Sequence, residues 1–325
     1  MKFLVSALLC LVTGLAPAVA AKEITPLYEL ATAHMVTDIL VDGGSLYAAT
    51  FGGTVEVFDI ASKTGTQHIA LPKIRDFMGD EVPPKIYAID RFDERLMIVS
   101  EGKSGYRNVH LYEAGKLRQL VDSDEKLFIK KGLFVDGDHL LLGLLSSEII
   151  LYKISTGELI YRYAIKERRS GGSAFSDMVL SEDRKTVATA DESGEVNIFN
   201  VADFKHLKLL VGQNVDNIYR IDYKKGTVIT AGQDRRCAIY KPDGTAYYVE
   251  GEFLIYGAAL SPSAKRGVFA STMENDLQLF DTQSRQKIAL MKGHGATLTD
   301  FEFISETEFF SSAEEKRILF WDTGK

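Results

Sequence analysis

The stretch Ile318-Leu319-Phe320-Trp321-Asp322 sets four apolar residues in a row, ends them on an aromatic ring and follows with a carboxylate. Six earlier stretches share its looser form, apolar-rich, ending on an aromatic and followed by a polar residue: residues 55–59 (VEVFD), 109–113 (VHLYE), 149–153 (IILYK), 196–200 (VNIFN), 238–241 (AIYK) and 277–281 (LQLFD). Their terminal aromatics, Phe58, Tyr112, Tyr152, Phe199, Tyr240, Phe280 and Trp321, are separated by 54, 40, 47, 41, 40 and 41 residues. A recurrence near 40–45 residues is the period of a four-stranded propeller blade.

Working outward from each copy, turn residues fall about every ten positions, as four short strands per unit require. The fourth unit reads as strands over Ser176 to Leu180, Thr186 to Ala190, Glu195 to Asn200 and Lys205 to Val211. Runs such as Leu140-Leu141-Leu142 and Ile149-Ile150-Leu151 are apolar at consecutive positions, so both faces of those strands must be covered. No stretch after residue 20 keeps a helical period. The seventh unit has only three strands by Lys325, while Ile24 to Leu30 stands as a spare strand ahead of the first unit. Pairing the two would remove two open edges. The expectation is an all-β, seven-bladed β-propeller over residues 21–325, its last blade closed by the N-terminal strand.

Composition agrees with one well-packed body. The 325 residues are 46% hydrophobic and 26% charged, with 7 prolines, which excludes a disordered or collagen-like chain. A net charge of −7 argues against non-specific nucleic-acid binding. Residues 1–20 read as a cleaved signal peptide: Lys2, an apolar run over Phe3 to Leu15, then Ala18-Val19-Ala20. That run is short for a membrane span, and Ala7-Leu8-Leu9 before Cys10 lacks the small residue of a lipoprotein site. The expected location is the periplasm, without a membrane anchor and as a monomer. Beyond the leader only Cys237 remains, so no internal disulfide can form.

The repeats resemble those of the WD-repeat β-propeller family. Trp321-Asp322 matches the family dipeptide and Gly293-His294 the Gly-His that opens a repeat. Ala231-Gly232-Gln233-Asp234-Arg235-Arg236 resembles the family turn in which an Asp locks the blade. Only Asp234 holds that place; the last blade has Glu315, so the family's His–Ser–Asp–Trp network is expected to be absent or altered. The overall plan, with a leader, seven degenerate blades and the loop Asp76 to Pro84, is similar to the periplasmic accessory proteins of bacterial nitrate reductase systems. That resemblance implies support of nitrate reductase maturation or activity without a cofactor, and an exported protein partner.

Catalytic signatures are missing. The six histidines, at 34, 68, 110, 139, 206 and 294, form no metal-binding spacing, and no C-x-x-C-H, G-x-S-x-G or P-loop occurs. No catalytic, cofactor or metal residue is therefore assigned. Cys237 beside Arg235 and Arg236 reads as a small core residue rather than a reactive thiol. A propeller enzyme of lactonase or metal/quinone oxidoreductase type is the runner-up, and an envelope-assembly factor the third reading.

Aligning the inner strands places Thr37-Asp38, Tyr87-Ala88, Lys131-Gly132, Ser176-Asp177, Tyr219-Arg220, Tyr256-Gly257 and Thr299-Asp300 around one mouth of the channel. Tyr87, Lys131, Tyr219, Arg220 and Tyr256 are candidates for partner binding there, because tyrosine and arginine dominate interface hot spots. Two long connections to the same face, Pro72 to Lys85 and Lys166 to Ser173, add Arg75, Arg168 and Arg169. Shorter turns add Arg107 and Arg235.

Overall fold

The computed structural model describes residues 22–165 and 173–324. Seven sheets are arranged as a seven-bladed β-propeller. Among the described residues there is no α-helix, only two 3₁₀ turns at Lys103–Gly105 and Ser123–Glu125. The innermost strands, in blade order, are Val36–Asp42, Ile86–Phe92, Ile129–Asp136, Phe175–Leu180, Ile218–Lys224, Ala258–Leu260 and Leu298–Phe303. Strands of the fourth blade fall within one residue of their sequence-based bounds.

The consecutive apolar runs are explained by which neighbour each side chain meets. Leu140 and Leu142 enter the core shared with blade two, while Leu141 enters the core shared with blade four. Ile150 and Ile149 divide in the same way. Each pair of adjacent blades encloses its own apolar cluster, so a strand buries alternate residues into two different cores. Packing is close at these joints. A Cβ on Gly143 would lie 2.4 Å from the Phe175 ring of the next blade, so only glycine fits.

The N-terminal segment is not the single strand that alternation suggests. Lys22–Ile24 runs parallel to Lys287–Met291 on the sixth sheet, and Tyr28–Ala31 runs antiparallel to Arg317–Asp322 on the seventh. Leu30 is buried between blades seven and one with Val36, Phe310 and Ile318. Pro26, which cannot donate to a ladder, lies in the crossing between the two short strands.

In the seventh blade the expected altered lock is present, with Glu315 in the place of the Asp. Trp321 Nε1 donates to Ser311 Oγ at 2.7 Å, Ser311 Oγ lies 2.6 Å from His294 Nε2, and His294 Nδ1 lies 2.6 Å from Glu315 Oε1. Burial lowers the His294 pKa, so a neutral ring donates from Nδ1 and accepts the Ser311 hydroxyl proton at Nε2. The longer Glu315 closes the chain that an Asp was expected to close. In the fifth blade Asn214 and Thr230 take the corresponding places: Thr230 Oγ1 donates to Asn214 Oδ1 at 2.6 Å, and Asn214 Nδ2 to Asp234 Oδ1 at 3.1 Å. Cys237 is wholly buried, and burial pushes its thiol pKa well up.

Candidate functional site

Two faces follow from the topology. The lower face carries the tight turns between first and second and between third and fourth strands. The upper face carries the connections between blades and the turns between second and third strands.

Six of the seven inner strands open at the upper mouth with a buried apolar residue: Val36, Ile86, Ile129, Phe175, Ile218 and Leu298. The next residue is passed over in the pairing register, a β-bulge repeated in six blades. A bulge re-aims one side chain. The six bulged residues are Thr37, Tyr87, Lys130, Ser176, Tyr219 and Thr299, and all six line a recess of about 320 Å³ at the upper mouth. In the sixth blade Tyr256 follows the buried Ile255 and stacks on Tyr219, with ring centroids 5.2 Å apart.

This register corrects the third blade. Lys130-Lys131, not Lys131-Gly132, matches Tyr87-Ala88 and Ser176-Asp177. Aligning the inner strands by their sequence alone misses the bulge. Counting from the buried apolar residue finds it.

Of the residues that follow the bulges, Asp38, Lys131, Asp177, Arg220 and Asp300 line the channel, while Ala88 packs into the core between blades two and three. Lys131 Nζ is 3.2 Å from Asp177 Oδ1, and Arg220 lies 3.9 Å from Asp38 and 4.0 Å from Asp177. Lys131, Asp177 and Arg220 line both the upper recess and a lower chamber of about 280 Å³. They therefore form a charged partition across the channel. Enclosure works against the Lys131 charge, but Asp177, then Asp38 and Asp300, hold its pKa above the ordinary value. Burial, then the neighbouring Asp300, pushes the Asp38 carboxyl well up. Lys131 and Arg220, proposed from sequence as rim contacts, are thus the paired floor of the recess.

At and below the partition, carboxylates join blades. Asp38 Oδ2 accepts from Ile89 N–H at 2.9 Å, Asp90 from Phe134 at 2.6 Å, Asp177 from Ile221 at 3.0 Å and Asp222 from Leu260 at 2.9 Å. Each satisfies a main-chain donor on the free edge of the following blade's inner strand. Burial raises the Asp90 pKa to about 6, against the lowering effect of the Phe134 N–H and of Arg184. Burial and Asp300 raise Glu302 well above the usual range, while Asp222 holds Lys224 charged. Among the described residues no three His, Cys, Asp or Glu side chains are placed to hold a metal ion.

The remaining candidates divide. Tyr87 lines the recess with Arg107 stacked 3.9 Å above its ring. Arg235 is exposed on an upper turn, 3.9 Å from Glu250. Arg75 is exposed on one leg of a hairpin, Ile74–Arg75 paired with Glu81–Val82, into which the long connection folds. Asp76 Oδ1 accepts from Met78 and Asp80 N–H, each at 2.9 Å, and fixes the tip. That tip presents Phe77 and Met78, 96% and 71% exposed. Arg168 and Arg169, like the leader, lie outside the described residues. Sequence reasoning missed Lys85, Lys130 and the exposed Met35, Phe51 and Phe128 on this face. No family model matches the chain, and a search of curated proteins finds no match either.

Proposed function

We propose that this propeller is a non-catalytic interaction scaffold that docks an exported protein through its upper face. One observation carries the reading. The exposed large apolar residues Met35, Phe51, Phe77, Met78, Phe128, Leu145, Val215 and Met273 all belong to upper connections. Others, such as Leu159, Leu207, Tyr248 and Ile288, belong to outermost strands, Leu27 directly precedes the outermost strand of blade seven, and among the described residues the tight lower turns carry none. Apolar side chains gathered on one face of a rigid scaffold favour a partner surface.

The leader pattern supports the periplasm as the place of action. The similarity of plan to NapL, with the WD-repeat features Gly293-His294 and Trp321-Asp322, supports a nitrate reductase component as the partner. The test is capture of that enzyme from a native periplasmic extract by the tagged wild type and by the Phe77→Ser/Met78→Ser variant. The wild type should retain nitrate reductase and the variant at least tenfold less, about 1.4 kcal/mol, at an unchanged melting temperature. Failure of the wild type to capture it removes the nitrate reductase assignment, and equal capture by both removes the hairpin.

A further inference from the structure

Six side chains make one strip over blades one to three of the upper face, with Met35 and Lys130 beside it. The Phe128 and Tyr106 rings lie 4.4 Å apart. Arg107, the next residue, holds its guanidinium 3.9 Å from the Tyr87 centroid. On the other side the Lys85 ammonium is 5.1 Å from Tyr87 and 5.3 Å from Phe51. The Phe51 N–H donates to the Met35 carbonyl at 2.9 Å. From Tyr106 to Phe51 rings and cations therefore alternate along the strip. Lys130, two residues beyond Phe128, lines the same recess as Lys85 and Tyr87.

The cations of this strip differ from those of the floor. Lys131 and Arg220 are matched by Asp177 and Asp38. Among the described residues Lys85, Arg107 and Lys130 form no ion pair, although Glu314 lines the recess and Glu101 Oε2 accepts from the Lys85 main-chain N–H at 3.3 Å. Arg107 Nε and Thr37 Oγ1 are buried without a hydrogen-bond partner. A buried donor on a charged group is costly until an acceptor reaches it. Phe51 and Phe128 stay exposed beside these cations. A small free anion would neutralise the charges and leave those rings wet; an amphipathic chain would cover both.

We infer that the strip holds an extended acidic segment of a protein partner, its carboxylates alternating with apolar side chains. The carboxylates meet Lys85, Arg107 and Lys130, and the apolar groups cover Phe51, Tyr87 and Phe128. This rests on the docking reading and names the chemistry of the docked segment.

A fluorescein-labelled octapeptide of alternating Glu and Leu, titrated against the full chain and followed by anisotropy, tests it. The same peptide with Lys for Glu is the control. The acidic peptide should bind and the basic one should not, and added salt should weaken binding. Lys85→Gln/Arg107→Gln should weaken it at least tenfold, as should Lys130→Gln/Arg107→Gln, while Lys185→Gln on the lower face leaves it unchanged. Thermal melts show that each variant is folded. Equal binding of the two peptides, or unchanged binding by both double variants, overturns the inference. So does displacement by glutarate at peptide-like concentration, which would mark a small-anion site. If the strip fails while capture of the partner still depends on Phe77 and Met78, the docking reading stands and only the acidic-segment assignment falls.

Discussion

The upper and lower faces are built from the same strands yet spend their charged groups differently. On the lower face the carboxylates are consumed by their own turns. Asp59 accepts from Ser62 N–H and Oγ, Asp138 from Ser155 N–H and Oγ, and Asp281 from Gln283 and Ser284 N–H. Glu306 reaches from blade seven to Ser261 and Ser263 of blade six. Hydrogen bonds of this kind, from the Ser62 hydroxyl first at Asp59 and the Ser155 hydroxyl first at Asp138, lower those pKa values. Among the described residues the upper mouth also keeps three cations that form no ion pair, Lys85, Arg107 and Lys130, beside exposed rings. Carboxylates cap upper turns too, as at Asp76, Asp122, Asp191 and Asp234; the difference lies in the cations and rings that the upper face adds beside them.

The partition between the two mouths gives the largest expected effect. Arg220→Met leaves Asp38 and Asp177 short of a partner in an enclosed place and should lower unfolding stability by about 3–5 kcal/mol in urea. Arg107→Met, on the open strip, should change it by less than ~1 kcal/mol. Similar losses for the two would mean that the upper cations are structural, and the contrast between floor and rim would collapse.

A second test sharpens the contrast between recess and lower chamber through protons. Asp90 has a folded pKa of about 6, above its unfolded value of 3.8. The folded state holds that proton longer. Its contribution is therefore complete below about pH 4, is lost as pH rises through 6, and is flat above. Asp90→Asn keeps an oxygen for the Phe134 N–H but cannot titrate. From pH 4 to 7.5 the stability difference should move in the variant's favour by about 2–3 kcal/mol. A difference independent of pH would show that Asp90 is ionised throughout. The smallest effect is expected from Lys185→Glu, on a lower turn 3.8 Å from Asp183: a melting temperature within a degree or two of wild type and full partner capture. Loss of capture would move the docking surface to the lower face.

Much of the blade plan was legible because it is local. The aromatics at Phe58, Phe199, Phe280 and Trp321 recur in sequence and are all buried in third strands. The mouth was half legible. Tyr87, Tyr219 and Arg220 were placed on it, but Lys130 was hidden by a bulge that no composition signal marks, and Lys131 fell out of register with it. Glu315 was legible as the residue in the lock position of an altered network; that it closes the His294–Ser311–Trp321 chain was decided by side-chain length across a turn.

What the amino-acid order determined by itself is the recurring unit: its period, its four strands and the burial of both faces, since each repeat must hide apolar residues on either side. What only the tertiary structure decided is which charges meet. Asp38, Lys131, Asp177 and Arg220 belong to blades one, three, four and five. Lys85, Arg107 and Lys130 come from blades two and three and the connection before them. Nothing in their spacing along the chain encodes their separation, because it is set by the curvature of the ring and by the six bulges that turn one residue per strand toward the mouth.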